Sequence, residues 1–205
     1  MLFRSPQAKN YVGAYHQPAA VHVVPSTLET LPARERAAGY AEVIKTALIA
    51  GGSLWEAVRA GARDDPGTVL ACARTKLRIV AADERDAGLR QVLNLGHTVA
   101  HALETVTGYS RLLHGEAVAL GLLAALRLSG QEALRREVAE LLAGAGLALS
   151  VSGVDESEVA RATLMDKKRL GEKVPFVLVE GPGRVSPGHG VDDRDLQLAV
   201  QELLA

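Results

Sequence analysis

Residues Leu93–Gly121 read LNLGHTVAHALETVTGYSRLLHGEAVALG, and the pattern of this stretch decides the architecture. Its first half is apolar at helical spacing and closed by Gly108. His97 and His101 lie four apart in it, which puts both imidazoles on one helix face. His114 follows 17 residues after His97, past a turn and at the head of a second, apolar helix over 115–129. Helices joined by so short a connection pack as antiparallel neighbours, which returns His114 towards His97. Three of the six histidines fall within 18 residues. Two readings follow: satisfied core histidines, or a metal centre, and the clustering favours the second. The zinc-protease motif HExxH is excluded, because Thr98 stands where its general-base Glu is required.

Upstream, Pro32 stands just inside the start of a helix over 33–50, stopped by Gly51-Gly52. Its segment GYAEVIKTALIA is apolar apart from Glu42 and Lys45, three apart on one face. Such a pair is ordinarily a solvated intrahelical ion pair. Here Ala41, Val43, Ile44, Ala47 and Leu48 surround it, so at least one member points inward and needs a partner or a metal. Glu42 is the candidate carboxylate ligand. With His97 and His114 it makes a two-His, one-carboxylate set that leaves a position open, the composition of a catalytic zinc site. Around it are Lys45, Lys76, Arg90 and the Lys167-Lys168 pair, whose convergence would select an anionic ligand. Arg90 suits a carboxylate or phosphate through its planar fork, and the lysines act as point charges. Taken singly, each reads better as a solvated side chain than as a ligand contact, and Lys167-Lys168 is the weakest of them, because DKKRLGEK also reads as an exposed loop. Arg90 and Asn94 precede His97 by seven and three residues, which predicts one shared helical face.

The rest of the chain bounds this picture. Residues 1–31 lack a helical period and read as the end of something whose earlier part is missing. Val21–Val24 is a candidate short strand, and Met1–Ser5 a start site or an artificial junction. Residues 32–205 form the main domain. Short and long helices follow over 53–59 and 66–83, the second with Asp65 at N-cap and Pro66 at the first helical position. Further helices are predicted over 132–143, 157–165 (with an Asp155-Glu158 capping box) and 192–204. VPFVLVE reads as a strand, and the Gly/Pro-rich GPGRVSPGHG as a turn. The fold class is mainly α: a multi-helix bundle with a small β element. Of the 205 residues, 48% are hydrophobic and only 3% aromatic, so the core is built from Ala, Leu and Val. The net charge of −1 gives no reason to expect nucleic acid or an anionic membrane as partner. Cys72 is the single cysteine, which fits a reducing cytoplasm, and no apolar run is long enough for a membrane span.

The segments KNYVGAYHQP, LPARERAAGYAEVIKTALI, DERDAGLRQVLNLGHTVAHALE, LLHGEAVALGL and MDKKRLGEK resemble 3-dehydroquinate synthase, in order and with matching spacing over nearly the whole chain. The resemblance is to the C-terminal helical domain of the dehydroquinate synthase-like and iron-containing alcohol dehydrogenase fold. It implies conversion of the seven-carbon sugar-acid phosphate DAHP to 3-dehydroquinate and phosphate, in the shikimate pathway, with NAD+ and Zn2+ (or Co2+). Glu42, His97 and His114 would then be the metal ligands, and His101 a contact near the phosphate suited to proton transfer. Lys45, Lys76, Arg90, Asn94 and one of Lys167 or Lys168 would bind substrate, while Lys9, Asn10 and Thr30 would touch NAD+. A homodimer is implied. Asp86 stands where the family usually has Glu. No GxGxxG-like turn follows a strand, and MLFRS replaces the Gly-Gly-Lys segment expected before Lys9, so the chain alone is expected to be inactive. Competing readings are another sugar-phosphate cyclase, a metal-dependent polyol dehydrogenase of the same fold, or a non-catalytic metal-binding remnant.

Overall fold

The structure, a computed structural model, describes residues 2–3, 12–13, 16–86, 88–165 and 174–205. Two compact units emerge, Met1–Thr30 and Leu31–Ala205. In the smaller, β1 (Leu2–Phe3) pairs antiparallel with β2 (Val12–Gly13), and a 3-10 segment spans Pro25–Thr30. The strand expected at Val21–Val24 does not form. Among the described residues no strand lies beside it, and Val21, Val23 and Val24 are exposed, so the segment has neither a ladder nor a buried face.

The larger unit is a helical bundle: α1 (Ala33–Ala50), α2 (Gly52–Arg59), α3 (Pro66–Ala82), α4 (His97–Val106), α5 (His114–Leu128), α6 (Glu132–Gly144), α7 (Glu156–Met165) and α8 (Asp193–Gln201). Helix α5 is apolar on all sides between its first and last turns and is the buried axis of the bundle, with α4 and α1 packed along it and α6 and α8 on its other flanks. Small residues let these backbones close in. A Cβ on Gly115 would lie 1.9 Å from the Ala38 carbonyl oxygen of α1, and one on Gly121 2.0 Å from the Gly96 oxygen. Asp65 caps α3 by accepting from the Thr68 N–H at 3.0 Å, with Pro66 at the first helical position, and Asp155 accepts from the Ser157 and Glu158 amides before α7. Helix α1 runs over Ala33–Ala50 as expected, but Pro32 is its N-cap rather than a residue inside it, because its ψ of 144° is extended.

Two larger departures bear on the site. The helix expected from Leu93 onward is broken: Leu89–Asn94 is a 3-10 segment, Gly96 turns the chain at φ 76°, and α4 begins only at His97. The Gly96 backbone lies against Gly121, and that contact holds the turn. The Gly/Pro-rich segment is also mostly strand. β3 (Val174–Gly181) pairs antiparallel with β4 (Arg184–Val191), leaving only Pro182-Gly183 as the connection. The register jumps from Phe176↔His189 to Leu178↔Ser186, so Pro187 and Gly188 sit in a bulge where the ladder needs no donor from proline. The Gly183 amide then donates to the Leu48 carbonyl at 2.8 Å, seating the hairpin on the end of α1. No described helix is long and apolar enough to cross a membrane.

Candidate metal centre

Glu42 comes from the middle of α1, His97 from the first residue of α4, and His114 from the first residue of α5. One donor atom from each lies within 4.8 Å of the others. Glu42 Oε1 is 3.6 Å from His97 Nε2 and 3.4 Å from His114 Nε2. Two donors about 2.05 Å from one ion at the tetrahedral angle stand about 3.3 Å apart, so the spacing fits a Zn2+-sized cation. The tautomers fit as well. His97 Nδ1 lies 3.1 Å from the Leu95 carbonyl and His114 Nδ1 3.2 Å from Glu104 Oε1. Both partners serve as acceptors, so each Nδ1 carries a proton, and in the neutral ring each Nε2 is the nitrogen whose lone pair is left for a cation at the shared point. Glu42 Oε2 faces away, accepting from Lys45 Nζ at 2.7 Å, which leaves Oε1 for a cation.

Lys45 is only 7% exposed and also donates to the Leu93 carbonyl at 3.0 Å. A buried ammonium held on both sides fixes the Glu42 rotamer and ties α1 to the segment before α4. Burial pushes the Lys45 ammonium down, opposed by Glu42. Burial would raise the Glu42 carboxyl, but the His114 hydrogen bond and the Lys45 charge outweigh it and hold it at about 2. Burial, then the Lys45 charge, lowers His97 to about 4, so it offers its lone pair at neutral pH without displacing a proton. His114 is raised, chiefly by its hydrogen bond to Glu42 and against burial, with Glu104 adding to the effect.

These shifts predict an acid-sensitive fold. Between pH 6.5 and about 4 the unfolded chain binds a proton at His97 that the folded chain does not, so stability falls on acidification, by at most about 3 kcal/mol. The raised pKa of His114 acts elsewhere: its stabilisation is complete below pH 6.5 and is lost as the pH rises through its folded value. The Glu42 contribution is lost between pH 4.5 and about 2. Urea unfolding in EDTA across pH 6.5 to 4 checks this. His97→Asn is expected to flatten the slope, and an equally steep slope in that variant would refute the assignment to His97.

The centre lies in the wall of a cleft of about 680 Å³, lined also by Cys72 and Lys76 of α3 and by Asp86, Arg90 and Asn94 of the α3–α4 connection. Asp83, at the end of α3, accepts from the Gly88 and Arg90 amides at 2.8 and 3.0 Å, while Arg90 Nη1 donates to the Glu84 carbonyl at 2.7 Å. The connection is thus folded back so that Arg90 reaches the cleft although no helical face joins it to His97. Asp86 adopts φ 59°, a conformation that few non-glycine residues take. Burial pushes the Cys72 thiol up. His101 sits one turn along α4, its ring 5.4 Å from that of His97 and 6.3 Å from that of His114, outside the donor cluster.

Of the other expected site residues, Lys9, Asn10, Lys167 and Lys168 lie outside the described residues. Thr30 belongs to the smaller unit, where its hydroxyl donates to the Thr27 carbonyl at 3.4 Å. Sequence reasoning missed Glu104, whose signal was its place seven residues after His97 as the one carboxylate of α4. It also missed the clamp behind HGE. Arg34 Nε and Nη2 donate to Glu116 at 2.6 and 2.8 Å, and Glu116 Oε2 accepts the Leu113 amide at 2.8 Å. His114 is therefore delivered by a capped helix start, with Gly115 permitting contact with α1.

Known proteins resemble this chain in sequence and in fold. The profile of the 3-dehydroquinate synthase C-terminal family matches residues 39–169. The 3-dehydroquinate synthase of Leptospira interrogans is 38% identical over 207 residues, 95% of this chain and 57% of that protein. The protein of the same name from Legionella pneumophila is 41% identical over 192 residues, 87% of this chain and 52% of its own length. The chain thus spans little more than half the length of the curated relatives it matches. Among solved structures, 2-deoxy-scyllo-inosose synthase complexed with carbaglucose-6-phosphate, NAD+ and Co2+ superposes with a TM-score of 0.82 at 22% identity, covering 98% of this chain and 61% of that one. The 2-epi-5-epi-valiolone synthase of Streptomyces hygroscopicus, with NAD+ and Zn2+ bound, gives 0.80 at 22%, covering 95% and 58%. These two likenesses show the fold. With the profile spanning well over half of the residues, the chain belongs to the 3-dehydroquinate synthase C-terminal family.

Proposed function

We propose that this chain is the metal- and substrate-binding part of a 3-dehydroquinate synthase, converting DAHP to 3-dehydroquinate and phosphate in the shikimate pathway. The observation that carries the reading is the convergence of Glu42 Oε1 and two histidine Nε2 atoms in a cleft rimmed by Lys45, Lys76, Arg90 and Asn94. Glu42, His97 and His114 would hold Zn2+ or Co2+, which when bound polarises a substrate hydroxyl. The presence of Co2+ or Zn2+ together with NAD+ in two solved proteins of this fold supports both cofactors.

The chain's own groups have separable tasks. Arg90, its fork oriented by the Glu84 carbonyl, pairs a carboxylate or phosphate. Lys76, exposed in the cleft wall, adds a positive charge, Asn94 bonds hydroxyls, and Lys45 holds Glu42 ionised and in place. His101 serves proton transfer near the phosphate. Lys167 or Lys168 supplies a further cation, and Lys9, Asn10 and Thr30 contact NAD+, residues 1–31 being the end of a nucleotide-binding domain. The protein works as a cytoplasmic homodimer. Identities of 38–41% to 3-dehydroquinate synthases, against 22% to the other cyclases, favour DAHP over their substrates. The ring of cations disfavours a neutral polyol.

Calorimetric titration of the zinc-loaded chain with DAHP tests this reading. Binding is expected to require the metal and to weaken by about 10- to 100-fold in Arg90→Ala, the loss of a charge-assisted pair. Equal DAHP affinity in metal-stripped protein, or equal affinity for a neutral polyol, would overturn it.

A further inference from the structure

We propose that Glu104 is the positioning residue of the metal centre, holding His114 by its Nδ1–H so that Nε2 faces Glu42 and His97. The inference rests on the metal-centre reading above and adds a residue that contacts neither substrate nor cation. Among the described residues of the larger unit, Glu104 is one of six buried polar or charged side chains, 4% exposed and on the face of α4 that packs against α5. Its Oε1 lies 3.2 Å from His114 Nδ1, while the opposite ring nitrogen lies 3.4 Å from Glu42 Oε1. The imidazole is therefore gripped between two carboxylates, one per nitrogen.

The two histidines are oriented by acceptors of different charge. His97 Nδ1 uses the neutral Leu95 carbonyl at 3.1 Å, which comes free with the turn at Gly96. His114, at the first position of α5, takes its acceptor from a neighbouring element instead, and α4 supplies it. A carboxylate is the stronger acceptor, and it makes the imidazole more basic towards a cation at Nε2. Loss of such an outer carboxylate typically weakens metal binding 10- to 100-fold.

The test uses Co2+ as probe, by chelator competition and by the visible spectrum of the bound ion, on the parent chain and on Glu104→Gln and Glu104→Ala. The Gln variant keeps the volume and an acceptor but loses the charge. Expected is a loss of affinity of about 10-fold in Glu104→Gln and about 100-fold in Glu104→Ala, with a shifted Co2+ band in both. Affinity within twofold of the parent and an unchanged band in Glu104→Gln would overturn the inference. A parent chain that takes up no cobalt overturns the metal-centre reading itself. Should the variants not fold, the zinc-loaded parent decides through its imidazole nitrogen–proton NMR correlations. A slowly exchanging, downfield Nδ1 proton on His114 supports the contact, and a rapidly exchanging one refutes it.

Discussion

Gly115→Ala is expected to lower the unfolding free energy by about 3 kcal/mol or more, among the largest effects of any single methyl in this chain. The added Cβ would stand 1.9 Å from the Ala38 oxygen and 2.4 Å from its carbonyl carbon. Both are backbone atoms, so no rotamer change relieves the clash, and α1 and α5 must separate. Glu42 lies one turn beyond Ala38, and His114 is the residue before Gly115, so the same displacement opens the donor cluster. Stability and metal affinity should therefore fall together. The neighbouring helical Gly39 is the control, being exposed with nothing within 4 Å of an added Cβ. Gly39→Ala should raise stability by about 0.5–1 kcal/mol through helix propensity alone. Urea unfolding by linear extrapolation compares them. A Gly115→Ala cost below about 1 kcal/mol would mean that the two helices do not meet backbone to backbone.

The fold was legible where local chemistry decides it. The Asp65-Pro66 start, the Gly51-Gly52 stop and the apolar periodicity of α5 are properties of the segments themselves, and the helices over 33–50 and 132–143 fall within one residue of expectation. It was illegible where a distant backbone decides. Leu93–Leu95 carries a helical pattern, yet the packing of Gly96 on Gly121 holds a turn there, and no local signal reports on residue 121. In β4, Gly and Pro weigh against a strand by composition, but the bulge at Pro187-Gly188 absorbs both.

The site divides in the same way. Glu42 stood out because a carboxylate amid Ala, Val and Ile must meet something, and the three histidines because they cluster within 18 residues. Which nitrogen of each ring faces inward is a tertiary matter. It depends on a carbonyl exposed by one turn for His97 and on a carboxylate from another helix for His114. Glu104 was present in HTVAHALE, but its partner is set by the docking of α4 on α5, which spacing along one helix does not encode.

His97→Ala is expected to weaken zinc binding on the order of a thousandfold, about 4 kcal/mol, while His101→Ala changes it less than about threefold. The sequence alone makes the two residues look alike, an i, i+4 pair on one helix of the kind that zinc proteases use jointly. The structure separates them. His97 is the first residue of α4, and its bond to the Leu95 carbonyl turns Nε2 towards Glu42 at 3.6 Å. His101 lies a turn further on and contributes no donor to the cluster. His97 is also held neutral by burial and the Lys45 charge, so its replacement removes a ready lone pair from the donor set. Chelator competition at pH 7.5 measures both variants. Equal losses would move the ion into the His97–His101 pair and away from α5, and Glu104 would then have no bearing on metal affinity. A loss confined to His97 instead fixes the centre between three helices, so that packing of α1 and α4 on α5 becomes the condition for binding a cation at all.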